Sequence, residues 1–483
     1  MKRLITIMII LLSGVNIFAD SIVLDTLKAF PTAVGAGRFT TGGRGGRVLW
    51  VTNKNFTGKG SLLEALAVKG KATILFKNGG SYYMNAGGSG YAGNKTIAGQ
   101  SANKFGGVYY DITDGANQKF MVIGGGNNIV RYIGTRGLRK LDGYDGDPLM
   151  WVEGNNVIMD HITDFGGAQG NSPFMGTSTT VQYSLYTEAN HDHNVGIHNY
   201  VERGNEGYAD IFYNAFILKS HRVPDISGTK ILKSRVINNY AYGWGTRAGE
   251  VATHAKADFI NNLYQEDLHW QSWHHKKHET FAVDATGLNS KLADPLPSIY
   301  LKDNFFTKKN NKLLFSSDNS SAMLHDPSQL ISDMSKLLRT SPLDAPDIIP
   351  FTKKEKIKHY VLDNAGASVR YSANGSKTVH EFEKRYKDFA LNRNEDKTPI
   401  KQRVAYTTIK RSNRILSGFQ RSHGFPKKWA KRHGLDIKNS NIHNKIKKDW
   451  RIQGYSIKNN AGYTNLEMYL AELAGDFHML AKY

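Results

Sequence analysis

The sequence predicts an all-β solenoid, a parallel β-helix, followed by a basic and mainly helical C-terminal extension. Three observations carry this. Short β-branched or aromatic runs recur at intervals of about 20 to 40 residues, the scale of solenoid repeats. Asparagines follow several of these runs at similar phase, namely Asn214, Asn238-Asn239, Asn261-Asn262 and Asn304. The 48 glycines against 12 prolines favour a turn-rich β architecture over a helical bundle.

In chain order, Met1-Lys2-Arg3, the apolar run Leu4 to Leu12 and the small residue Ala19 read as a secretory signal, residues 1–19. Export is therefore expected, to the periplasm or beyond the cell. The glycine-rich stretch Gly35 to Gly46 reads as a tightly turning cap; it lacks the Gly-Lys-Ser/Thr ending of a phosphate loop. Val48 to Val51 is a short strand, and Ser61 with Glu64 three residues on marks a helix start by a capping box. Thr73 to Phe76 and Lys95 to Gly99 are further strands.

Then the repeat sets in. Its runs are Asn128 to Tyr132, Asn156 to Asp160, Thr180 to Tyr183, Asp210 to Tyr213, Ile231 to Ile237, Ala257 to Ile260 and Ile299 to Leu301. Asparagine tolerates left-handed backbone, which suits tight corners, and stacked asparagines can hydrogen-bond from one repeat to the next. The character changes after Asn304, and Asp344-Ala345-Pro346-Asp347 reads as a boundary. The expected organisation is a β-helix domain over 20–345, a linker or extension over 346–420, and a basic module over 421–483.

Composition narrows the function classes. With no cysteine there is no disulfide framework and no thiolate metal site. A hydrophobic fraction of 40% is too low for a membrane protein, so no membrane insertion is expected. The net charge of +21 creates a field that attracts polyanions. For an exported chain the expected partner is an acidic polysaccharide rather than nucleic acid, bound by a monomer.

Several of these pieces together resemble one family. Ala29-Phe30-Pro31, the Thr41 to Gly46 glycine run, Val51-Thr52-Asn53, Gly58 to Leu62, Lys95 to Gln100, Asn156 to His161 and Arg222-Val223-Pro224 follow one another as in the family 1 polysaccharide lyases, the pectate lyases. The resemblance covers residues 29 to about 300. It implies a right-handed parallel β-helix and β-elimination on a polyuronate such as pectate. In that reaction a base removes the proton α to a uronate carboxylate while a cation neutralises the carboxylate. In the family an arginine is the base and calcium bridges protein and substrate carboxylates.

Carried over residue by residue, Arg222 is the expected catalytic residue and Asp145 with Asp147 the expected calcium ligands. Residues two apart on a strand point to the same side, so both can address one ion; the pair also reads as an Asp-Gly surface turn. The further acids of the family fall at Gln169 and Pro173, so the calcium site is incomplete, with Asp164 or Glu188 as candidate substitutes. An arginine is ordinarily always protonated, so Arg222 is either a base in a strongly altered environment or an electrostatic stabiliser beside another base. The family's second arginine is Ser227 here. Lys219, His221, Arg247 and His193 are the candidate substrate-binding residues, pairing with uronate carboxylates. His191, His193 and His198 read as metal ligands or as polar rim residues.

The tail carries a second resemblance. Gly424-Phe425-Pro426-Lys427-Lys428-Trp429 and Gly462 to Glu467 are similar to the C-terminal appendage of some such lyases, with its acids mostly replaced by Lys and Arg. That change favours a module that clings to polyanions over a calcium loop. Two other functions stay open: a catalytically silent binder of acidic polysaccharide, and a hydrolase or lyase for another acidic polysaccharide on the same scaffold, a hydrolase drawing its carboxylates from Asp145, Asp147 and Asp160.

Overall fold

The computed structural model describes residues 21–105, 107–112, 120–137, 150–166, 174–188, 195–201, 207–219, 221–228, 232–244, 247–266, 279–286, 291–308, 312–316, 323–326, 329–343, 353–371, 376–392, 425–436, 442–445 and 450–481. The chain winds as a right-handed parallel β-helix of three sheets. One turn shows the plan: Thr179–Gln182 lies in the first sheet, Leu185–Thr187 in the second and His198–Val201 in the third. The next turn repeats it with Gly207–Phe212, Ala215–Ile217 and Asp225–Gly228, each parallel to the strand one turn earlier.

All seven repeats read from the sequence fall in the first sheet, as do the strands expected near Val48, Thr73 and Lys95. The corner after each first-sheet strand explains why they were visible. A residue in the left-handed region sits there, Tyr183, Tyr213, Asn238, Asn261 and Asp303 among them, with φ from 48° to 59°. The residue after it, Ser184, Asn214, Asn239, Asn262 or Asn304, turns back over the neighbouring turn. Asn214 Nδ2 donates to Asn239 Oδ1 at 3.1 Å, Asn239 to Asn262 at 3.0 Å and Asn262 to Asn304 at 2.9 Å. Each amide oxygen in this ladder also accepts a backbone N–H from the turn before it. The expected asparagine stack is present, and it satisfies backbone groups that a corner would otherwise strand.

The interior is filled by in-register columns. Tyr82, Tyr110, Thr135, Asp164, Tyr186, Phe216, Ala241, Tyr264 and Phe306 follow one another along the second sheet. The apolar members belong to the main core, so Thr135 and Asp164 are polar residues set into an aromatic and aliphatic column. The helix Leu62–Ala67, capped by Ser61 as expected, packs Leu62 and Leu66 into the same core.

Later segments cover the outer faces of two sheets. Lys354–Asn364 and Glu381–Asn392 lie on the second sheet, burying Ile357, Val361, Phe382 and Tyr386 against Phe165, Ile217 and Tyr242. Glu383 is fully buried there and accepts hydrogen bonds from Tyr109 Oη at 2.7 Å and Ser368 Oγ at 2.6 Å. Asn465–Ala474 and its neighbours pack on the first sheet against Leu75 and Ala98. The strand Tyr455–Lys458 pairs in parallel with Ser21–Val23, joining the tail to the start of the described chain. The third sheet carries a charged column on its outer face.

Candidate active site on the third sheet

His198, Asp225 and Glu250 occupy the same register position on three successive strands of the third sheet. Their neighbours Ile226 and Val251 lie in the core, and alternation along a strand therefore sends all three side chains outward. Arg222 enters from the corner before Asp225–Gly228. Val223 anchors that corner in the core at 1% exposure, and Gly196 N donates to Arg222 O at 2.9 Å. Arg222 itself adopts φ 42°, a conformation that a non-glycine residue keeps only where its surroundings hold it. Anchored so, its side chain projects over the sheet.

The charges alternate along the face. Arg222 Nη1 is 3.1 Å from Asp225 Oδ2, and its Nε is 3.0 Å from Glu250 Oε2. Arg247 pairs with the same Glu250 carboxylate. His198 Nε2 lies 3.4 Å from Asp225 Oδ2 and 3.4 Å from Ser227 Oγ. The exposures decide what a ligand meets: His198, Arg222 and Arg247 are 34%, 22% and 18% exposed, Asp225 and Glu250 only 3% and 7%. Two carboxylates form a floor, and three basic side chains stand above it. Burial and the nearby Asp225 push the Glu250 carboxyl up, and Arg222 and Arg247 oppose them. Such a surface presents donors and positive charge to an anionic ligand and keeps its acids for orienting the arginines.

Of the residues expected from sequence, Arg222 and Arg247 meet here. His221 sits at the same corner, bridged to Val195 and 7% exposed. Lys219 does not face this surface. It is 1% exposed, its Nζ donates to Glu188 O at 3.2 Å, and its charge faces Asp164. A buried ammonium needs such partners, and they draw it beneath the surface. Asp164, considered as a substitute calcium ligand, points into the core column instead, and Glu188 is 8% exposed. Asp160, considered for hydrolysis, is fully buried on the first sheet. It pairs with Arg131 at 2.7 Å and with His161 at 2.8 Å, beneath the C-terminal helices. Asp145, Asp147, His191 and His193 lie outside the described residues, as do Gln169 and Pro173.

The described acids do not suit calcium. No group of three or more His, Asp or Glu able to hold a metal occurs among the described residues. Asp225 and Glu250 are engaged by arginines, whereas calcium needs several free oxygen ligands. Sequence reading passed over Asp225 and Glu250 altogether. They stand 25 residues apart, one turn of the helix, and only the register shows that they are neighbours.

Fold and face together define a right-handed parallel β-helix protein with a basic, carboxylate-floored surface on one sheet. No family model matches the sequence. The chain is 30% identical over 254 residues to a protein named probable pectate lyase C from Aspergillus fumigatus, covering 52% of this chain and 57% of that one. It is 31% identical over 242 residues to the protein of the same name from Emericella nidulans, covering 49% and 53%. The chain thus spans little more than half the length of these relatives. Among solved structures, pectate lyase Bsp165PelA from Bacillus sp. N165, in complex with trigalacturonate, is 15% identical. It covers 70% of this chain and 99% of its own, with a TM-score of 0.44. The cedar pollen allergen jun a 1 is also 15% identical, covering 69% and 92%, with a TM-score of 0.40. The chain is thus similar in sequence, over about half its length, to proteins named probable pectate lyase C, and it folds as a parallel β-helix.

Proposed function

We propose that the protein is a secreted polysaccharide lyase that cleaves a polyuronate, pectate-like polygalacturonate, by β-elimination. The observation that carries this is the exposed trio of His198, Arg222 and Arg247 over the buried Asp225 and Glu250. A uronan presents a carboxylate at every residue, and arginines with oriented guanidinium groups pair with carboxylates by charge-assisted hydrogen bonds. Arg247 binds a uronate carboxylate, and Arg222 acts at the reacting sugar. Asp145 and Asp147 remain the proposed calcium ligands; Met1 to Ala19 remains the proposed export signal. No described helix is long and apolar enough to cross a membrane. The relatives' name supports the activity, and the net charge of +21 supports an acidic polymer as the partner of a monomeric enzyme.

The test is direct. Purified protein is incubated with polygalacturonate, with calcium or with chelator, and the ultraviolet absorbance of the unsaturated product is followed. Product is expected, and Arg222→Ala is expected to lower kcat by about 100-fold or more. No product across a panel of polyuronates would falsify the lyase reading. New reducing ends without the absorbance would indicate a hydrolase. One observation favours a silent polysaccharide binder instead: Arg222 already holds two carboxylates, and Ser227 stands where the family places a second arginine. Saturable binding of polygalacturonate without any product would select it.

A further inference from the structure

Resting on the lyase reading, we infer that Tyr91 is the floor of an outlying sugar subsite on the third sheet, and that this subsite takes an uncharged pyranose ring in preference to a uronate. The starting point is an exposed ring in a prepared seat. Tyr91 follows the strand Gly88–Gly90 and is 57% exposed, the highest value among the exposed large hydrophobic residues described. Its ring lies over Gly124 on the next strand: a methyl group on Gly124 would stand 2.3 Å from Tyr91 Cδ1 and 2.5 Å from Cε1. Only bare backbone leaves room for the ring there. Gly124 N donates to Gly90 O at 2.8 Å, which fixes the seat. The Tyr91 hydroxyl reaches one strand further and donates to Glu153 Oε1 at 3.4 Å. The side chain is thus held across neighbouring strands and stays largely open to solvent.

The seat belongs to the same face as the charged column. Ile123 and Val152 lie in the core, so Gly124 and Glu153, next along their strands, face outward. Trp151, on the other side of Val152, also faces outward and is half-buried. The register carries its row onward. Val152 pairs with Phe174 and Phe174 with Asn199, so Trp151 is aligned with His198 two strands away, about 10 Å at the usual strand spacing. A polymer laid across the strands from Arg222 passes Trp151 and then Tyr91.

Charge decides which sugar rests there. A fixed, exposed aromatic ring suits the C–H face of a pyranose, and that contact needs no carboxylate. The charged group at the ring is Glu153, which pairs with no cation among the described residues. A uronate carboxylate placed beside it meets like charge, the reverse of its reception by Arg222 and Arg247. An uncharged ring, either a methyl-esterified uronate or a neutral sugar within the chain, meets no such repulsion, and its hydroxyls can donate to the Glu153 carboxylate. The substrate that fits the whole face is therefore a mixed polymer, with a uronate at Arg222 and an uncharged ring further along.

The test uses the full-length protein and three probes: polygalacturonate, partly methyl-esterified polygalacturonate, and a polymer alternating galacturonate with a neutral sugar. Dissociation constants are measured in an Arg222→Ala background, so that the polymers stay intact, and KM with Arg222 in place. Tyr91→Ala is expected to weaken binding of a polymer with uncharged rings, and to raise its KM, by about three- to tenfold, while the affinity for polygalacturonate changes far less. Gly124→Ala, which drives the ring from its seat, has the same effect, and Tyr91→Phe keeps most of the affinity. Glu153→Gln tightens binding of polygalacturonate and narrows the preference. The mixed polymer that responds identifies the uncharged ring as an esterified uronate or a neutral sugar. Circular dichroism confirms that each variant is folded. Tyr91→Ala that binds every polymer as tightly as its parent overturns the subsite. Equal losses on all three polymers, or Glu153→Gln without effect, overturn the selection by charge. Unsaturated product from the wild type beside an unaffected Tyr91→Ala overturns the subsite alone. No product from the wild type, with affinity still lost in Tyr91→Ala, overturns the lyase reading and upholds the subsite.

Discussion

A single carboxyl group, Asp164, tests how this interior handles charge. Burial pushes it up to about 7, and Lys219 offsets part of that rise. Burial likewise pushes Lys219 down to about 7, with Asp164 and Glu188 opposing the fall. The sign follows from proton binding. A carboxyl that holds its proton more tightly when folded favours the fold below its ordinary value near 4, and that contribution is lost as pH rises through about 7. Above that point the interior column of Tyr110, Thr135, Asp164 and Tyr186 must carry a negative charge. Asp164→Asn removes the cost. Relative to the wild type, its thermal midpoint is expected to be higher at pH 8 than at pH 3, by the equivalent of roughly 2 kcal/mol or more. An equal shift at both pH values would show that charge is not the cause.

Among the elements, the corners after the first-sheet strands do the most to fix register. Asn239 is the middle of the ladder, donating to Asn262 and to Ile211 O while its own oxygen takes the N–H of Asn214. Asn239→Leu leaves those buried groups without partners and is expected to cost about 2–3 kcal/mol, read as a lower midpoint in urea. This ladder is also what made the fold legible. The runs recognised in the sequence are first-sheet strands of four to six residues, each followed by a corner with a distinct chemistry. Second-sheet strands such as Leu185–Thr187 and Tyr240–Tyr242 have three residues, too short for alternation to show. Third-sheet strands follow connections of differing length, so their phase drifts along the sequence. That is where the site lies. Arg222 was readable from its Pro224 context, but Asp225 and Glu250 acquire meaning only through the pairing of Asp225 with Glu250 across a turn. For Lys219 sequence gave the charge but could not tell the surface from the interior.

At the scale of the molecule, the segments after the β-helix are held by buried acids as well as by apolar contacts. Asp476, on the last described helix, accepts from Arg131 Nη2 at 2.7 Å and from Thr32 Oγ1 at 3.0 Å. Arg131 reaches Asp160 at the same time, and its guanidinium stacks 3.6 Å over the Phe30 ring. Removing one member leaves charge buried with too few partners. Asp476→Ala is expected to cost about 3 kcal/mol and to make the residues around Asn465–Ala474 susceptible to protease before the β-helix unfolds. Retention of full stability and resistance would show that apolar packing alone holds the tail. Burial raises the Asp160 carboxyl, but Arg131 and His161 overcome this and hold it at about 2. Its contribution is present above the ordinary carboxylate value and is lost as pH falls toward 2, the reverse of Asp164.

The parallel pairing of Ser21–Val23 with Tyr455–Lys458 has a consequence for how the molecule comes into being. Nearby, Lys28 N and Tyr463 Oη meet across 435 residues of intervening chain. A polypeptide emerging from its amino end can coil turn upon turn as it lengthens, since each strand needs only its predecessor. Ser21–Val23 is not paired in that way: its partner, Tyr455–Lys458, lies more than 400 residues further along the chain. A nascent chain halted before Trp450 keeps an orphaned edge at one end and a bare apolar flank around Leu75 and Ala98, a surface suited to capture by a holding chaperone.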